Sequence, residues 1–248
     1  MKFNKIEPKY ILKSNPRIGL IALGSDFRIE KDFNNVIYGR DIDLYVNRIH
    51  CYNPLTNETL AKMAEDITEV TKDILPDQKL DCVAYGCTSG TIAAGYDTIK
   101  SKINLAKPSA KVTTPITSTI KALKKLDIKK ISIFTPYTNA INDSVVNYFK
   151  KENISINSLT YFDIASDLDI GKVDENYLFE VLSKIDLEDS DALFVSCTAL
   201  PVLSIIDKLE KKLNKIILSS NQTLIWDALN LIGNKNKIKG YGKIFDIN

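Results

Sequence analysis

The chain has 248 residues, of which 44% are hydrophobic and 26% are charged, proportions that are typical of a globular protein with a substantial core. Its 33 basic and 31 acidic residues leave a net charge of +2, which gives no support for binding to nucleic acid or to a membrane surface. One histidine and four scattered cysteines do not provide the clustered ligands that a zinc site needs, so no metal is expected.

Neither a membrane-spanning segment nor an export signal is expected from the sequence. No stretch approaches the roughly 18 apolar residues that a membrane-spanning helix requires. Residues 1–20 lack the apolar core and small-residue cleavage site of a secretory signal. We therefore expect a cytoplasmic protein whose four cysteines remain thiols.

Short apolar runs alternate with longer amphipathic stretches along the first half of the chain. Strands are predicted at residues 17–23, 44–51, 80–85 and 111–114. Apolar residues at helical spacing predict helices at residues 56–75 and 88–103.

The same alternation continues through the second half. Strands are predicted at residues 130–135, 154–162, 191–195 and 215–218. Helices are predicted at residues 117–126, 140–152, 175–184, 200–213 and 222–232. Strands that alternate with helices in this way indicate an α/β protein with parallel sheets covered by helices.

The two halves resemble each other in sequence. The segment DCVAYGCTS at residues 81–89 aligns with DALFVSCTA at residues 191–199, with Asp, Cys and Thr identical. Flanking strand runs match in nearly the same register, namely residues 18–21 with 131–134 and residues 112–115 with 217–220. This duplication predicts two similar α/β domains related by a pseudo-twofold axis, comprising residues 1–115 plus 220–248 and residues 116–219.

Cys87 and Cys197 are each predicted to lie where a strand ends and a helix begins. Ligand sites of parallel α/β sheets lie beyond the carboxyl ends of the strands, so the pseudo-twofold axis would bring both thiols to one cleft. A helix N-terminus lowers a thiol pKa and offers free N–H groups to a carboxylate. Thr88, Ser89 and Thr198 therefore form a candidate carboxylate cradle beside the two sulfurs.

A purely structural role is the alternative for any one of these cysteines. A buried free cysteine often serves as a small apolar side chain, and Cys82 and Cys51 are interpreted in that way. The matched Cys-Thr settings of Cys87 and Cys197 after matched strands favour a chemical role for that pair.

Four motifs together resemble the aspartate/glutamate racemase superfamily. They are YGCTSG at 85–90, TPY at 135–137, VSCTAL at 195–200 and SSNQT at 219–223. The branch that they fit contains maleate cis-trans isomerase, arylmalonate decarboxylase and the ectoine-utilisation A proteins, and the resemblance extends over residues 18–233. It implies two domains with four-stranded parallel sheets, an active site in the cleft between them and no cofactor.

The resemblance also implies roles for individual residues. As in maleate isomerase, Cys87 would add to C2 of maleate, and Cys197 would donate and recover the proton at the neighbouring carbon. Tyr137 matches a tyrosine that binds a substrate carboxylate, and Ala199 and Asn221 lie in motifs assigned to substrate binding. Asn221 can equally be interpreted as a capping residue at the start of the last helix.

Asp26 departs from the maleate isomerase pattern, in which Ser-Asn follows the first strand. An ionised Asp would repel a dicarboxylate, whereas it could pair with an ammonium or amidine group of a substrate. This form resembles the ectoine-utilisation A branch more closely. Arg28 or Arg40 could supply a positive charge to the site, although either can equally be a surface residue.

The sequence thus favours a cofactor-independent two-cysteine isomerase that acts on a small carboxylate, without nucleic acid or membrane partners. One alternative is a racemase or epimerase of an amino acid or its derivative, of ectoine-utilisation A type. Another is a non-catalytic protein that binds a small ligand and leaves both thiols unreactive. A homo-oligomer, such as a homodimer, is expected because relatives often form one.

Overall fold

Two four-stranded parallel sheets form the framework of the protein. The structure is a computed structural model that describes residues 1, 3–11 and 14–247. Within these residues the strands are β1 (Arg17–Leu23), β2 (Asp43–Ile49), β3 (Cys82–Gly86), β4 (Lys111–Thr113), β5 (Lys130–Thr135), β6 (Ser155–Tyr161), β7 (Ala192–Val195) and β8 (Ile216–Ser219).

Helices connect the strands throughout the described part of the chain. They are α1 (Ile29–Ile37), α2 (Asn57–Lys62), α3 (Ile67–Lys72), α4 (Thr88–Ala94), α5 (Tyr96–Ala106), α6 (Pro115–Lys125), α7 (Asn139–Lys151), α8 (Asp167–Gly171), α9 (Glu175–Leu182), α10 (Ile206–Leu213) and α11 (Ser220–Leu231). Short 3₁₀ segments occupy Met63–Asp66, Leu203–Ile205 and Lys243–Asp246. None of the helices in the described ranges has the length and apolar character needed to cross a membrane.

The two sheets have equivalent topologies. The first has the strand order β2-β1-β3-β4 and the second has the order β6-β5-β7-β8, with parallel pairing throughout. The predicted fold class, α/β with two similar halves that each carry a four-stranded parallel sheet, is confirmed. The domain boundaries at residues 115, 116, 219 and 220 stay a prediction.

Burial explains why the central strands have continuous apolar sequences. Every residue of β3 and β7 is buried, and β1 and β5 are buried except at their first residues. The edge strands β2 and β6 are only partly buried. Central strands of a parallel sheet are covered by helices on both faces, so both side-chain directions must be apolar.

Two helices were not among the predicted elements. In α1, the buried residues Ile29, Phe33, Val36 and Ile37 follow the spacing of one helix face. The second is α8, which contains only five residues and so offers little periodicity.

Three predicted helices are interrupted or shortened. The predicted helix at residues 56–75 is divided into α2, a 3₁₀ turn and α3. The predicted helix at residues 88–103 is broken at Gly95, whose φ of 84° ends α4. The helix predicted from residue 200 begins only at Leu203, as a 3₁₀ turn that leads into α10.

Candidate active site

Cys87 lies at the start of α4, directly after β3. Its backbone is extended, and its Sγ accepts a hydrogen bond from the Gly90 N–H at 3.2 Å. Ser89 Oγ lies 3.9 Å from the same sulfur. A Cβ at Gly90 would lie 2.8 Å from Sγ, so only glycine allows the thiol to approach the helix N-terminus this closely. The predicted position of Cys87 at a helix N-terminus is therefore confirmed.

Cys197 has a different local structure from the one predicted. Its φ is 98°, a conformation that is strained for a residue with a side chain. The residues directly after it are not helical, and the first helical turn is Leu203–Ile205. The prediction that Cys197 lies at a helix N-terminus is wrong. Its backbone N–H instead donates to Ser220 Oγ at 3.0 Å.

Hydrogen bonds fix the two cysteine segments to one another through the start of α11. The Thr88 hydroxyl donates to Ser220 Oγ at 2.8 Å. The Thr198 hydroxyl donates to the Gly86 carbonyl at 3.2 Å, and Asn221 Nδ2 donates to the Thr198 carbonyl at 2.8 Å. The equivalent ends of β3 and β7 are thus brought to one place, as the duplication predicted.

Both thiols line the same small cavity. Its volume is ≈ 10 Å³, about the space of one water-sized sphere. The cavity is therefore closed in this conformation. Residues from both halves form its wall: Leu23, Leu55, Leu60, Cys87, Thr88, Ser89, Tyr137, Asp167, Cys197 and Thr198.

Most of the predicted site residues belong to this wall. Besides the two cysteines, Thr88, Ser89, Tyr137 and Thr198 line the cavity. The Tyr137 hydroxyl accepts a hydrogen bond from Ser196 Oγ at 3.4 Å. The other predicted residues, Asp26, Ala199 and Asn221, are buried but are not part of the cavity wall.

Burial decides the protonation of the two thiols in this closed form. Desolvation raises the pKa of Cys87, although the hydrogen bond from the Gly90 N–H lowers it. Desolvation also raises the pKa of Cys197 well above its usual value; the charge of Asp167 raises it further, and the Ala199 N–H and Tyr137 hydroxyl lower it. Both cysteines are therefore neutral thiols, in contrast to the lowered pKa expected at a helix N-terminus.

Asp167 is the main residue of the cavity wall that was not predicted. It is the first residue of α8, its exposed fraction is 3%, and the Ser25 hydroxyl donates to its Oδ2 at 2.5 Å. Burial raises the pKa of Asp167 to about 6; the hydrogen bond from Ser25 lowers it and the charge of Asp26 raises it. Since Asp163 and Asp169 lie on the same segment, the sequence does not indicate which carboxyl enters the cleft.

Asp26 lies behind the wall as a second buried carboxyl. Its Oδ1 accepts hydrogen bonds from the N–H groups of Arg28 at 2.7 Å and Ile29 at 3.0 Å, which starts α1. Its Oδ2 is buried and makes no hydrogen bond of normal geometry with any residue that the structure describes. Burial raises the pKa of Asp26, and the nearby Thr198 hydroxyl and Arg48 charge lower it.

No Lys, Arg or His side chain lines the cavity within the described ranges. Arg28, one candidate for a positive charge, donates to the Gly171 carbonyl at 3.2 and 2.9 Å. Arg40, the other candidate, donates to the carbonyls of Val36 and Tyr38. Neither arginine therefore places its charge in the cavity.

Helix α8 of the second half is fastened across the cleft to the first half. Besides the bond between Ser25 and Asp167, the Leu55 N–H donates to the Ala165 carbonyl at 3.0 Å. At the other end of α8, Arg28 binds the Gly171 carbonyl. These contacts close the cavity on the side of Asp167, and we call α8 with its preceding residues 163–166 the cleft cover.

Several known proteins are similar to this chain in sequence or in fold. Maleate isomerase from Geobacillus stearothermophilus is 25% identical in an alignment of 244 positions that covers 92% of this chain and 96% of the relative. Arylmalonate decarboxylase from Bordetella bronchiseptica is 26% identical over 137 residues, or 54% of this chain and 57% of the relative. Maleate cis-trans isomerase from Nocardia farcinica, solved with a covalently bound succinylcysteine intermediate, superposes with a TM-score of 0.86 at 19% identity, covering 94% of this chain and 98% of that chain.

The match to a family model defines the group to which the chain belongs. The model for arylmalonate decarboxylase matches residues 51–245, which include both cysteines and most of the cavity wall. The resemblance to the branch of maleate isomerase and arylmalonate decarboxylase is confirmed, and the chain belongs to the arylmalonate decarboxylase family.

Proposed function

We propose that this protein is a cofactor-independent isomerase of maleate isomerase type, which uses two cysteines to act on a small carboxylate. The observation that carries the proposal is the position of Cys87 and Cys197, from equivalent strands of the two sheets, in the wall of one cavity. The similarity to maleate isomerases along 92% of the chain supports it. So does the succinylcysteine found in the structural relative from Nocardia farcinica.

In the proposed reaction, Cys87 enters as a thiolate and its sulfur adds to C2 of maleate. The double-bond electrons take a proton at C3 from the Cys197 thiol. The C2–C3 bond is then single and rotates. The Cys197 thiolate removes a proton from C3, the double bond re-forms and the carbon–sulfur bond breaks, which releases fumarate. Both cysteines return to their starting states, so the cycle is redox-neutral and consumes no co-reactant.

The raised thiol pKa values imply that opening of the cavity precedes the chemistry. A cavity of ≈ 10 Å³ has no room for maleate, and a buried thiol resists ionisation. Water that enters with the substrate would restore solvation, and the Gly90 N–H already points at the Cys87 sulfur to stabilise its negative charge.

The remaining predicted residues receive roles in the same proposal. Ser89 offers a hydroxyl donor at the cavity wall for a substrate carboxylate. Thr88 and Thr198 shape the wall beside it, because their hydroxyls already donate to Ser220 Oγ and the Gly86 carbonyl. Tyr137 lies beside Cys197 and lowers its pKa, which suits an exchange of protons. Residues behind the wall have supporting roles. Ala199 and Asn221 hold the Cys197 segment in place, and Asp26 fixes the start of α1 through the N–H groups of Arg28 and Ile29.

The proposal is tested by incubating the protein with maleate and following fumarate by proton NMR. Wild type should form fumarate, and both Cys87→Ala and Cys197→Ala should abolish its formation. Cys82→Ala is the matched control, because Cys82 is buried in β3 and is absent from the cavity wall; this variant should retain activity. Equal activity of wild type and Cys87→Ala would refute the proposed mechanism.

Cytoplasmic location and homo-oligomeric assembly complete the proposal. All four cysteines are free thiols, which is consistent with a reducing compartment. Size-exclusion chromatography with light scattering would decide the oligomeric state. The racemase of ectoine-utilisation A type and the non-catalytic binding protein stay predictions from the sequence. Fumarate formation by wild type that is lost in Cys87→Ala would distinguish an isomerase from the binding protein.

A further inference from the structure

The cavity wall contains both a hydrogen-bond donor and a carboxyl. The Ser89 hydroxyl, 3.9 Å from the Cys87 sulfur, provides the donor. The carboxyl of Asp167 also lies in the wall, and Asp26 is close enough to raise its pKa. No basic side chain of the described residues lines the cavity, so no positive charge in the wall offsets the negative charge of Asp167. We call the part of the wall at Asp167 the acidic end.

Asp167 retains an oxygen for a ligand. Among the described residues, the Asp167 side chain accepts a hydrogen bond from Ser25, and it does so through Oδ2. Ser25 belongs to the first half of the chain and Asp167 to the second, so this bond fixes the carboxyl across the cleft. The other oxygen of Asp167 can accept a hydrogen bond from a molecule in the cavity.

A dicarboxylate dianion is poorly matched to the acidic end of the cavity. Its second carboxylate would approach Asp167, and like charges repel strongly where water is excluded. A carboxylate also has no proton with which to satisfy the Asp167 oxygen. An amide has the same planar shape as a carboxylate, carries no charge and donates through its NH₂ group.

We infer that Asp167 determines substrate specificity, and that it selects a cis-unsaturated monocarboxylate whose other end is a neutral amide. This inference rests on the proposed function and specifies the substrate class of the same site. The amide keeps the double bond conjugated to a carbonyl, which addition of the Cys87 sulfur requires. An ammonium group in place of the amide would leave no carbonyl at that end of the double bond. Maleamate, the monoamide of maleate, is the simplest substrate of this class.

The inference is tested first by binding, with ligands that cannot isomerise. Succinate and succinamate, the saturated analogues of maleate and maleamate, are titrated calorimetrically at pH 8 into wild type and Asp167→Asn. A site built to accept a hydrogen bond rejects a ligand that cannot donate one. Wild type should therefore bind succinamate about tenfold or more tightly than succinate, and the variant should lose or reverse that preference.

Asp169→Asn is the matched control, because Asp169 is an exposed carboxylate on the same helix. It should retain the wild-type preference. In wild type and in each variant, the preference between maleamate and maleate in kcat/KM should match the preference between succinamate and succinate in binding. A preference of wild type for succinate, equal binding of both analogues, or no binding of either would overturn the inference.

The binding and turnover results separate this inference from the proposed function. The predicted binding preference without turnover of either unsaturated compound would support the role of Asp167 and refute the isomerase. Cysteine-dependent turnover of maleate that is at least as efficient as that of maleamate, and is unchanged in Asp167→Asn, would support the isomerase and refute the role of Asp167.

Discussion

Replacing Asp167 with Asn should stabilise the protein above pH 6 and leave its stability near pH 4 almost unchanged. Burial raises the pKa of Asp167 from 3.8 to about 6. Asn has nearly the same shape and can still accept the hydrogen bond from Ser25. The substitution therefore removes the ionisable group without opening a cavity.

The sign and size of this effect follow from the pKa change. Between pH 4 and pH 6 the unfolded chain loses the Asp167 proton while the folded chain keeps it, so the wild-type free energy of unfolding falls as pH rises. A pKa difference of about 2 units corresponds to roughly 3 kcal/mol. The variant should thus exceed wild type by about 1–3 kcal/mol at pH 8, since local relaxation reduces the full value.

Urea denaturation of both proteins at several pH values between 4 and 8 measures the difference. Asp32 also has a raised pKa, of about 7, but it is present in both proteins and largely cancels. Asp169→Asn serves as control because Lys172 lowers the pKa of that exposed carboxylate, so it should not be more stable than wild type at pH 8. A difference between wild type and Asp167→Asn that does not change with pH would refute the reasoning.

Three further substitutions test the neighbourhood of the thiols and the packing between helices. Gly90→Ala places a Cβ 2.8 Å from the Cys87 sulfur, and should reduce both isomerisation and, by about 1–3 kcal/mol, stability to urea. Cys197→Gly should abolish fumarate formation but change stability by less than about 1 kcal/mol, because glycine adopts the φ of 98° without strain. Asp227→Ala should lower the free energy of unfolding by about 2 kcal/mol, since it removes the buried acceptor of the Lys121 ammonium, 2.6 Å away. Melting temperatures measured by circular dichroism should fall accordingly for the first and third variants.

The framework of the fold was largely predictable because the central strands are buried on both faces. Continuous apolar runs located β1 and β5 with their observed limits. The repeated Asp-to-Thr segments around Cys87 and Cys197 predicted two equivalent halves, which the matching strand orders confirm. Such signals are local in sequence and therefore readable without a structure.

The conformation after Cys197 depends on contacts that the sequence does not reveal. Apolar spacing predicted a helix from residue 200, but the segment is held by bonds from Thr198 to Gly86 and from Asn221 to Thr198. These partners are distant in the chain, so their hydrogen bonds override local helical preference. Pro201 adds a local reason for the late helix start, because a proline disfavours helical backbone angles at the residue before it, here Leu200.

The position of Asp167 at the acidic end of the cavity could not be predicted for a related reason. Asp26 was singled out from the sequence, whereas Asp167 was not, although Asp167 is the one that reaches the cavity wall. Its position depends on the length of the turn after β6 and on Ser25 across the cleft. A helix as short as α8 has too few residues for a periodic pattern.

The closed cleft cover also determines when this protein is vulnerable to oxidants. Peroxides react with thiolates far faster than with thiols, and in the closed form both Cys87 and Cys197 are buried and neutral. An idle molecule therefore protects its own sulfurs. Oxidation of the two thiols should therefore occur mainly during turnover, because each opening that admits a substrate also admits water and oxidant to the same two sulfur atoms.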